Sequence, residues 1–378
     1  MIFQGKDIYD GLSKEITVSD GYIKSIKIID TNFENFLSHS FIDMQVNGYL
    51  GVDYSGDDLS EEGILTLIDN LAKTGTMRHV PTIITNSEER IEKNLKIISK
   101  LVESNDKAKT AIAGIHIEGP FISKKDGPRG AHDPLFVRNP NIEEVKNWQN
   151  AANGLIKIIT IAPEKENAKA FTEAIVKMGI NVAIGHCEPS EEELNDVIKA
   201  GACLSTHLGN GSSAMLPRLK NHIWMQVADD RLSSGIICDG FHLPSYVVKT
   251  IYKTKGIDNL ILVSDVALLG GLKPGFAKWG NIDVEICEDG HLSLAGTSLL
   301  AGAGHLLDWD LVHFINFTGA SLKDAIKTVT YNPSKILKLE NKSGFNVGDK
   351  ADIISFTLTN DRINLNQFAF GNYQSKEK

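Results

Sequence analysis

The side chains able to do chemistry in this 378-residue chain recur at intervals, each at the end of a short apolar run. His116-Ile117-Glu118 closes one run, Gly185-His186 another and Thr206-His207 a third. Asp239-Gly240-Phe241-His242 and Ser264-Asp265 close two more. One carboxylate and two imidazoles, from Glu118, His186 and His207, form a ligand set for one divalent ion that leaves a coordination position open for water, the layout of a hydrolytic metal site. Asp265 is then the candidate general base toward that water. His116 lies two residues before Glu118 and shares its strand face, which suits support of the ligands better than ligation. The plain readings are a hydrogen-bonded histidine, a turn carboxylate at Glu118 and a helix cap at Asp265. They would have to hold independently at five strand ends, so a shared site is the better reading.

Those strand ends need elements to carry them. From Phe41 onward β-rich runs alternate with helical patterns: 41–46, 79–84, 112–119, 156–163, 181–186, 202–207, 234–240 and 259–265 read as strands. Helical segments at 60–73, 87–102, 167–178 and 190–200 lie between them, and Ser190 with Glu193 spells a capping box. Gly179 and Gly201 stand where left-handed helix stops belong. Eight strands in this alternation predict a closed parallel barrel with active groups at the C-terminal strand ends. An open doubly wound sheet has the same alternation, so the pattern by itself leaves closure open.

The two ends of the chain read differently. Residues 14–18, a Ser19-Asp20-Gly21 turn and residues 22–28 make an antiparallel hairpin, and 351–356 offers a strand after Gly348-Asp349. We therefore expect a small β-domain from residues 1–40 and 341–378 flanking a barrel of residues 41–340. A second hairpin, 282–286 with 291–294, interrupts the barrel, followed by predicted helices at 299–317 and 321–330.

A net charge of -9 argues against nucleic-acid or acidic-membrane partners, which want a clustered basic face. It leaves room for an anionic small substrate held by one local arginine. The four cysteines, Cys187, Cys203, Cys238 and Cys287, have no CxxC spacing and read as buried free thiols. Neither a signal peptide nor a membrane-spanning apolar run is evident, and the chain reads as cytoplasmic.

In order and spacing, His-Ile-Glu-Gly-Pro-Phe at 116–121, Gly-His at 185–186, Thr-His-Leu-Gly-Asn at 206–210, Asp-Gly-Phe-His at 239–242, Leu-Val-Ser-Asp at 262–265 and Leu-Ala-Gly-Thr at 294–297 form a set. With them the chain resembles the N-acetylglucosamine-6-phosphate deacetylases of the amidohydrolase superfamily over nearly its whole length. The resemblance implies a (β/α)8 TIM-type barrel with a small β-sandwich from both termini, an α/β fold, in a homodimer. It implies metal ligation by Glu118, His186 and His207, with Asp265 as catalytic acid/base and His132 as a catalytic and substrate-contacting residue. Further substrate contacts carried over are Gln45, Ala131, Asn210, Gly211, Asp239, His242, Leu294, Ala295 and Gly296.

Many amidohydrolases place His-x-His on the first barrel strand and bind two ions. Gln45 and Asn47 stand there instead, and neutral amides are poor ligands for a transition ion. This resembles the single-metal branch, with one ion per subunit, zinc favoured and iron or manganese as alternatives. Arg218, eight residues after Asn210, matches the family's phosphate-binding arginine, which reaches into the partner subunit's site. A solvated loop arginine is the plain alternative, and the Asn210-Gly211-Ser212-Ser213 loop departs from the family's Asn-Ala-Met. The expected reaction is release of acetate and glucosamine 6-phosphate by metal-activated water. The rivals are deacetylation of another N-acetylhexosamine, opening of a cyclic amide, or a catalytically silent sugar-phosphate binder. The last is disfavoured by the presence of both ligands and base.

Overall fold

The computed structural model describes residues 1–280, 282–340, 343–360 and 362–375. Residue 341, where the second terminal segment was expected to begin, and residues 376–378 lie outside the described residues.

Eight parallel strands form one sheet: β1 (Phe41–Val46), β2 (Thr76–Ile84), β3 (Ile115–Glu118), β4 (Ile156–Ile161), β5 (Asn181–Ile184), β6 (Leu204–Ser205), β7 (Ser233–Ile236) and β8 (Leu260–Leu262). Neighbours in sequence are neighbours in space throughout. The question the alternation left open is answered at the seam. Val46 bridges Val266 in parallel, Asp265 N donates to Gln45 O at 3.0 Å, and Asn47 N donates to Val266 O at 3.0 Å. The buried Asp43 reinforces that seam, its Oδ1 accepting from the backbone N–H of both Gln45 and Ser264 at 3.2 Å. The ring is closed.

Each strand is short and apolar because both of its faces are covered. Outward side chains such as Ile83, Ile117, Ile159 and Ile184 pack under the helices on Leu67, Leu95, Ile98 and Val197. Inward side chains Met44, Val80, Ile158, Ala183, Leu204 and Ile261 plug the barrel interior. That apolar plug leaves polar groups to the upper rim, where strands give way to loops. The helices start where their caps predict. Ser60, Ser87 and Ser190 each accept from the third residue on, and Ser190 with Glu193 completes the capping box.

The termini build a seven-stranded sheet in the order Tyr373–Gln374, Ile363–Phe370, Asp352–Leu358, Phe36–Ser38, Ile2–Asp7, Ser13–Ser19, Tyr22–Ile28. Ile2–Asp7 alternates exposed and buried side chains, and the inward set, with Phe3, Ile16, Val18, Leu37 and Ile353, forms the small domain's core. Asp20 and Gly21 turn the hairpin with φ of 52° and 74°, the paired positive values of a two-residue type I′ turn.

One helix starts later than the sequence implied. Residues 299–306 are not helical, and the helix begins at Leu307, ending at Thr318. Gly302 adopts φ +82°, Ala303 bridges Val266, and a Cβ on Gly304 would meet Gly290 O at 2.0 Å. The segment is thereby drawn across the barrel mouth rather than coiled. The predicted hairpin gains a third strand, Gly275–Trp279, paired with Ile282–Ile286, which pairs in turn with Leu292–Leu294. No described helix is long and apolar enough to cross a membrane.

Candidate active site

The end of β3 and the loops that follow β5 and β6 bring Glu118, His186 and His207 to one point. Glu118 Oε1 lies 3.1 Å from His186 Nε2 and 3.0 Å from His207 Nε2, and the two ring nitrogens are 3.0 Å apart. All three side chains are buried. Their backbones are bent to reach it. His186 and His207 have φ of +51° and +27°, and Asp265 has +52°. A left-handed conformation costs a side-chain-bearing residue roughly 1–2 kcal/mol, so three of them in one site mark a functional constraint.

The surroundings set the ring tautomers. His186 Nδ1 faces Pro128 O at 2.9 Å; a carbonyl only accepts, so Nδ1 carries the proton and Nε2 turns its lone pair to Glu118. His132 is the reverse. Its Nδ1 accepts from the Thr85 N–H and sits 2.8 Å from Thr85 Oγ1, leaving an Nε2–H that points to His186 Nε2 at 3.3 Å. Burial above all holds His132 well below the usual imidazole range, so it is a neutral donor.

The electrostatics ask for a cation. Burial opposes charge on His207, yet the hydrogen bond to Glu118 outweighs it and lifts the imidazole to about 9. Burial likewise opposes charge on Glu118, and the two histidines still hold it well below the carboxylate range. A buried carboxylate and two imidazoles whose ligand atoms lie within 4.8 Å of one another form a donor set that fits a divalent ion.

Asp265 stands beside this cluster. Gln45 Nε2 donates to Asp265 Oδ1 at 2.8 Å and to Glu118 Oε1 at 3.1 Å, while Asn47 Nδ2 donates to the same Asp265 oxygen at 2.7 Å. Both amides bind Oδ1, which leaves Oδ2 for a proton. Burial and then the Glu118 charge push Asp265 up to about 6. Gln45 thus sits beneath the cluster, bridging ligand and base. Asn47 holding Asp265 and Thr85 setting His132 were not foreseen. The shared strand face of Gln45 and Asn47 was the only available signal for the first.

An open cleft of about 450 Å³ lies above, lined by Ala131, His132, Asn210, Gly211 and His242 together with the metal-site residues and Asp265. Asn210 Nδ2 is buried without a hydrogen-bond partner among the described residues. Asp239 does not line the cleft but clamps His242, accepting at 2.7 Å from Nδ1. Burial pushes Asp239 up, and the His242 contact outweighs it to about 2. Phe241, Trp279, Leu299 and Leu300 add apolar walls. Leu294, Ala295 and Gly296 do not line the cleft, though Leu294 N donates to Leu299 O of its wall at 2.8 Å. Arg218 does not line the cleft; it is exposed on the loop that follows Gly211, near Met215 and Leu219, which are 89% and 74% exposed.

The model of the amidohydrolase family matches residues 36–376, which takes in every residue of this cluster. The chain belongs to the amidohydrolase family. Within it, the chain is 30% identical to an N-acetylglucosamine-6-phosphate deacetylase of Lysinibacillus sphaericus, over 84% of this chain and 81% of the relative. It is 29% identical to that of Bacillus subtilis (strain 168), over 90% and 87%. Among solved structures, N-acetylglucosamine-6-phosphate deacetylase from Thermotoga maritima superposes with a TM-score of 0.84 at 26% identity, covering 99% of each chain. Amidohydrolases use divalent metal, which agrees with the Glu118, His186 and His207 donor set.

Proposed function

We propose that this amidohydrolase removes the acetyl group of N-acetylglucosamine 6-phosphate, releasing acetate and glucosamine 6-phosphate. The observation that carries the reading is the convergence of Glu118, His186 and His207 beside Asp265 at the floor of a sugar-sized cleft. The names of the relatives support the substrate. Glu118, His186 and His207 would hold one ion, zinc by donor type, which supplies Lewis acidity to the amide carbonyl and acidifies water.

The chain's own residues do the rest. Asp265, fixed through Oδ1 by Gln45 and Asn47, takes the proton of the attacking water on Oδ2. His132 donates its Nε2–H to the carbonyl oxygen as that oxygen gains charge. Asp265 returns the proton to the departing amine, the C–N bond breaks, and acetate and free amine leave. Asn210 and His242, on the cleft wall, meet the sugar, with Ala131 and Gly211 offering backbone. Gln45, Asp239, Leu294, Ala295 and Gly296 shape this surface without lining it.

Arg218 completes the site across a homodimer, gripping the 6-phosphate bound by the partner subunit. Its exposure here, beside exposed Met215 and Leu219, supports a role between subunits. We divide the chain at 41–340 for the hydrolase barrel and 1–40 with 341–378 for the small domain. The test is acetate release from N-acetylglucosamine and N-acetylgalactosamine, each with and without 6-phosphate. Fast turnover of the 6-phospho-gluco sugar alone is expected. Equal turnover of an unphosphorylated sugar would move the substrate to a neutral N-acetylhexosamine.

A further inference from the structure

A second set of ligand-type side chains converges away from Glu118. Cys287 Sγ, a carboxylate oxygen of Asp289 and a ring nitrogen of His291 all lie within 4.8 Å of one another. They occupy the turn between the strands Ile282–Ile286 and Leu292–Leu294. Backbone bonds fix that turn, Cys287 N to His291 O and Gly290 N to Cys287 O, both at 2.9 Å. Gly290 makes it with φ +88°, and a Cβ there would meet His305 Cε1 at 2.9 Å. The His305 ring therefore packs against the tip, and its buried Nε2 has no hydrogen-bond partner among the described residues.

We propose that this hairpin tip is a second cation site, taking a thiophilic divalent ion of the zinc class through Cys287 thiolate, Asp289 carboxylate and His291 imidazole. A sulfur, nitrogen and oxygen set of this kind selects zinc-like ions over magnesium or calcium, which take oxygen. A simple Asp289–His291 ion pair at 2.5 Å accounts for two of the residues. It does not account for Cys287, whose Sγ has a long contact to Ser293 Oγ at 3.8 Å. Binding sends the thiol proton to solvent, and the His305 ring packs beside the turn. The site has a connection to the cleft: His291 stacks on Phe241 with ring centroids 4.5 Å apart, and Phe241 lines the cleft wall. A cation at the tip would fix the three-stranded sheet against that wall.

The test uses the full chain, stripped of metal and titrated with cobalt(II). Thiolate-bound cobalt has a near-ultraviolet charge-transfer band that a Glu/His/His site cannot give, since it holds no sulfur. The band is expected to reach full size by two equivalents, one for each site, to disappear in Cys287→Ser and to persist in His207→Ala. Zinc is also expected to slow alkylation of Cys287 by iodoacetamide by roughly 10-fold or more, read by peptide mass. Cys187 and Cys238 are buried and do not compete. The proposal is overturned by a band that never forms or that survives Cys287→Ser. Should that variant not fold, unchanged alkylation of the parent chain with zinc overturns it as well.

Discussion

Replacing Asp265 by asparagine separates the chemical role of this side chain from its structural one. Asparagine Oδ1 can keep both hydrogen bonds, from Gln45 at 2.8 Å and Asn47 at 2.7 Å, so the barrel seam and the three ligands stay in place. What is lost is a proton acceptor. Positioned acid–base groups contribute about 10²–10⁴ in rate, or ~3–5 kcal/mol of barrel-mouth chemistry. Turnover, read as acetate release at saturating substrate, should fall by that factor while bound metal is unchanged.

Stability should move the other way. The folded chain holds Asp265 at about 6 against the ordinary carboxylate value of 3.8, because of burial and then Glu118. Between those values the folded state binds more protons than the unfolded one, so stability falls as pH rises through the window. Above about 6 the full penalty is present, with a ceiling of ~3 kcal/mol from 1.36 kcal/mol per pKa step. In metal-free protein at pH 7.5, Asp265→Asn should unfold at higher denaturant than the parent, and the gap should vanish by about pH 3 to 4. Turnover within tenfold of the parent would remove Asp265 as the base. A variant less stable than the parent at pH 7.5 would contradict the burial argument.

Other outcomes follow from the same geometry. With Asp265 required as carboxylate, kcat/KM should drop as pH falls through about 6 or just below it, where a bound cation favours the ionised form; an unchanged rate at pH 5 would refute this. Arg218→Ala should raise KM for the 6-phosphate substrate by roughly 10–100-fold, the worth of a charge-assisted hydrogen bond, with kcat little changed; an unaltered KM would return Arg218 to a solvated loop role. Gly211→Ala should weaken metal binding, since φ is +57° and the new Cβ would sit 2.8 Å from His186 Nδ1. Metal affinity by competitive chelation equal to that of the parent would contradict that packing.

The sequence made the barrel legible because covered strands leave short apolar runs and serine caps mark helix starts. The ligands were legible because Glu118, His186, His207 and Asp265 break those runs at their ends. Closure was not, since Val46 meets Val266 only in space. The helix expected from residue 299 failed for a local reason: Leu-rich spacing ran through Gly302 and Gly304, whose backbones approach Ala267 and Gly290 too closely for a coil. Cys203 and Cys287 are partly exposed rather than buried, as hairpin and strand-edge positions allow. The apolar walls at Phe241, Trp279 and Leu299 come from loops whose placement no period encodes. Gln45 illustrates the limit most clearly. Its residue type spoke against ligation, but only the structure places its amide between Glu118 and Asp265.

The most direct test of the central claim is acetate release from N-acetylglucosamine 6-phosphate by the chelator-stripped chain, before and after a divalent ion is returned. Activity should be absent when stripped, recover on addition of zinc, and fail to recover in Glu118→Gln. Full activity in the stripped chain, or full recovery in Glu118→Gln, would mean that Glu118, His186 and His207 do not hold the ion on which hydrolysis depends.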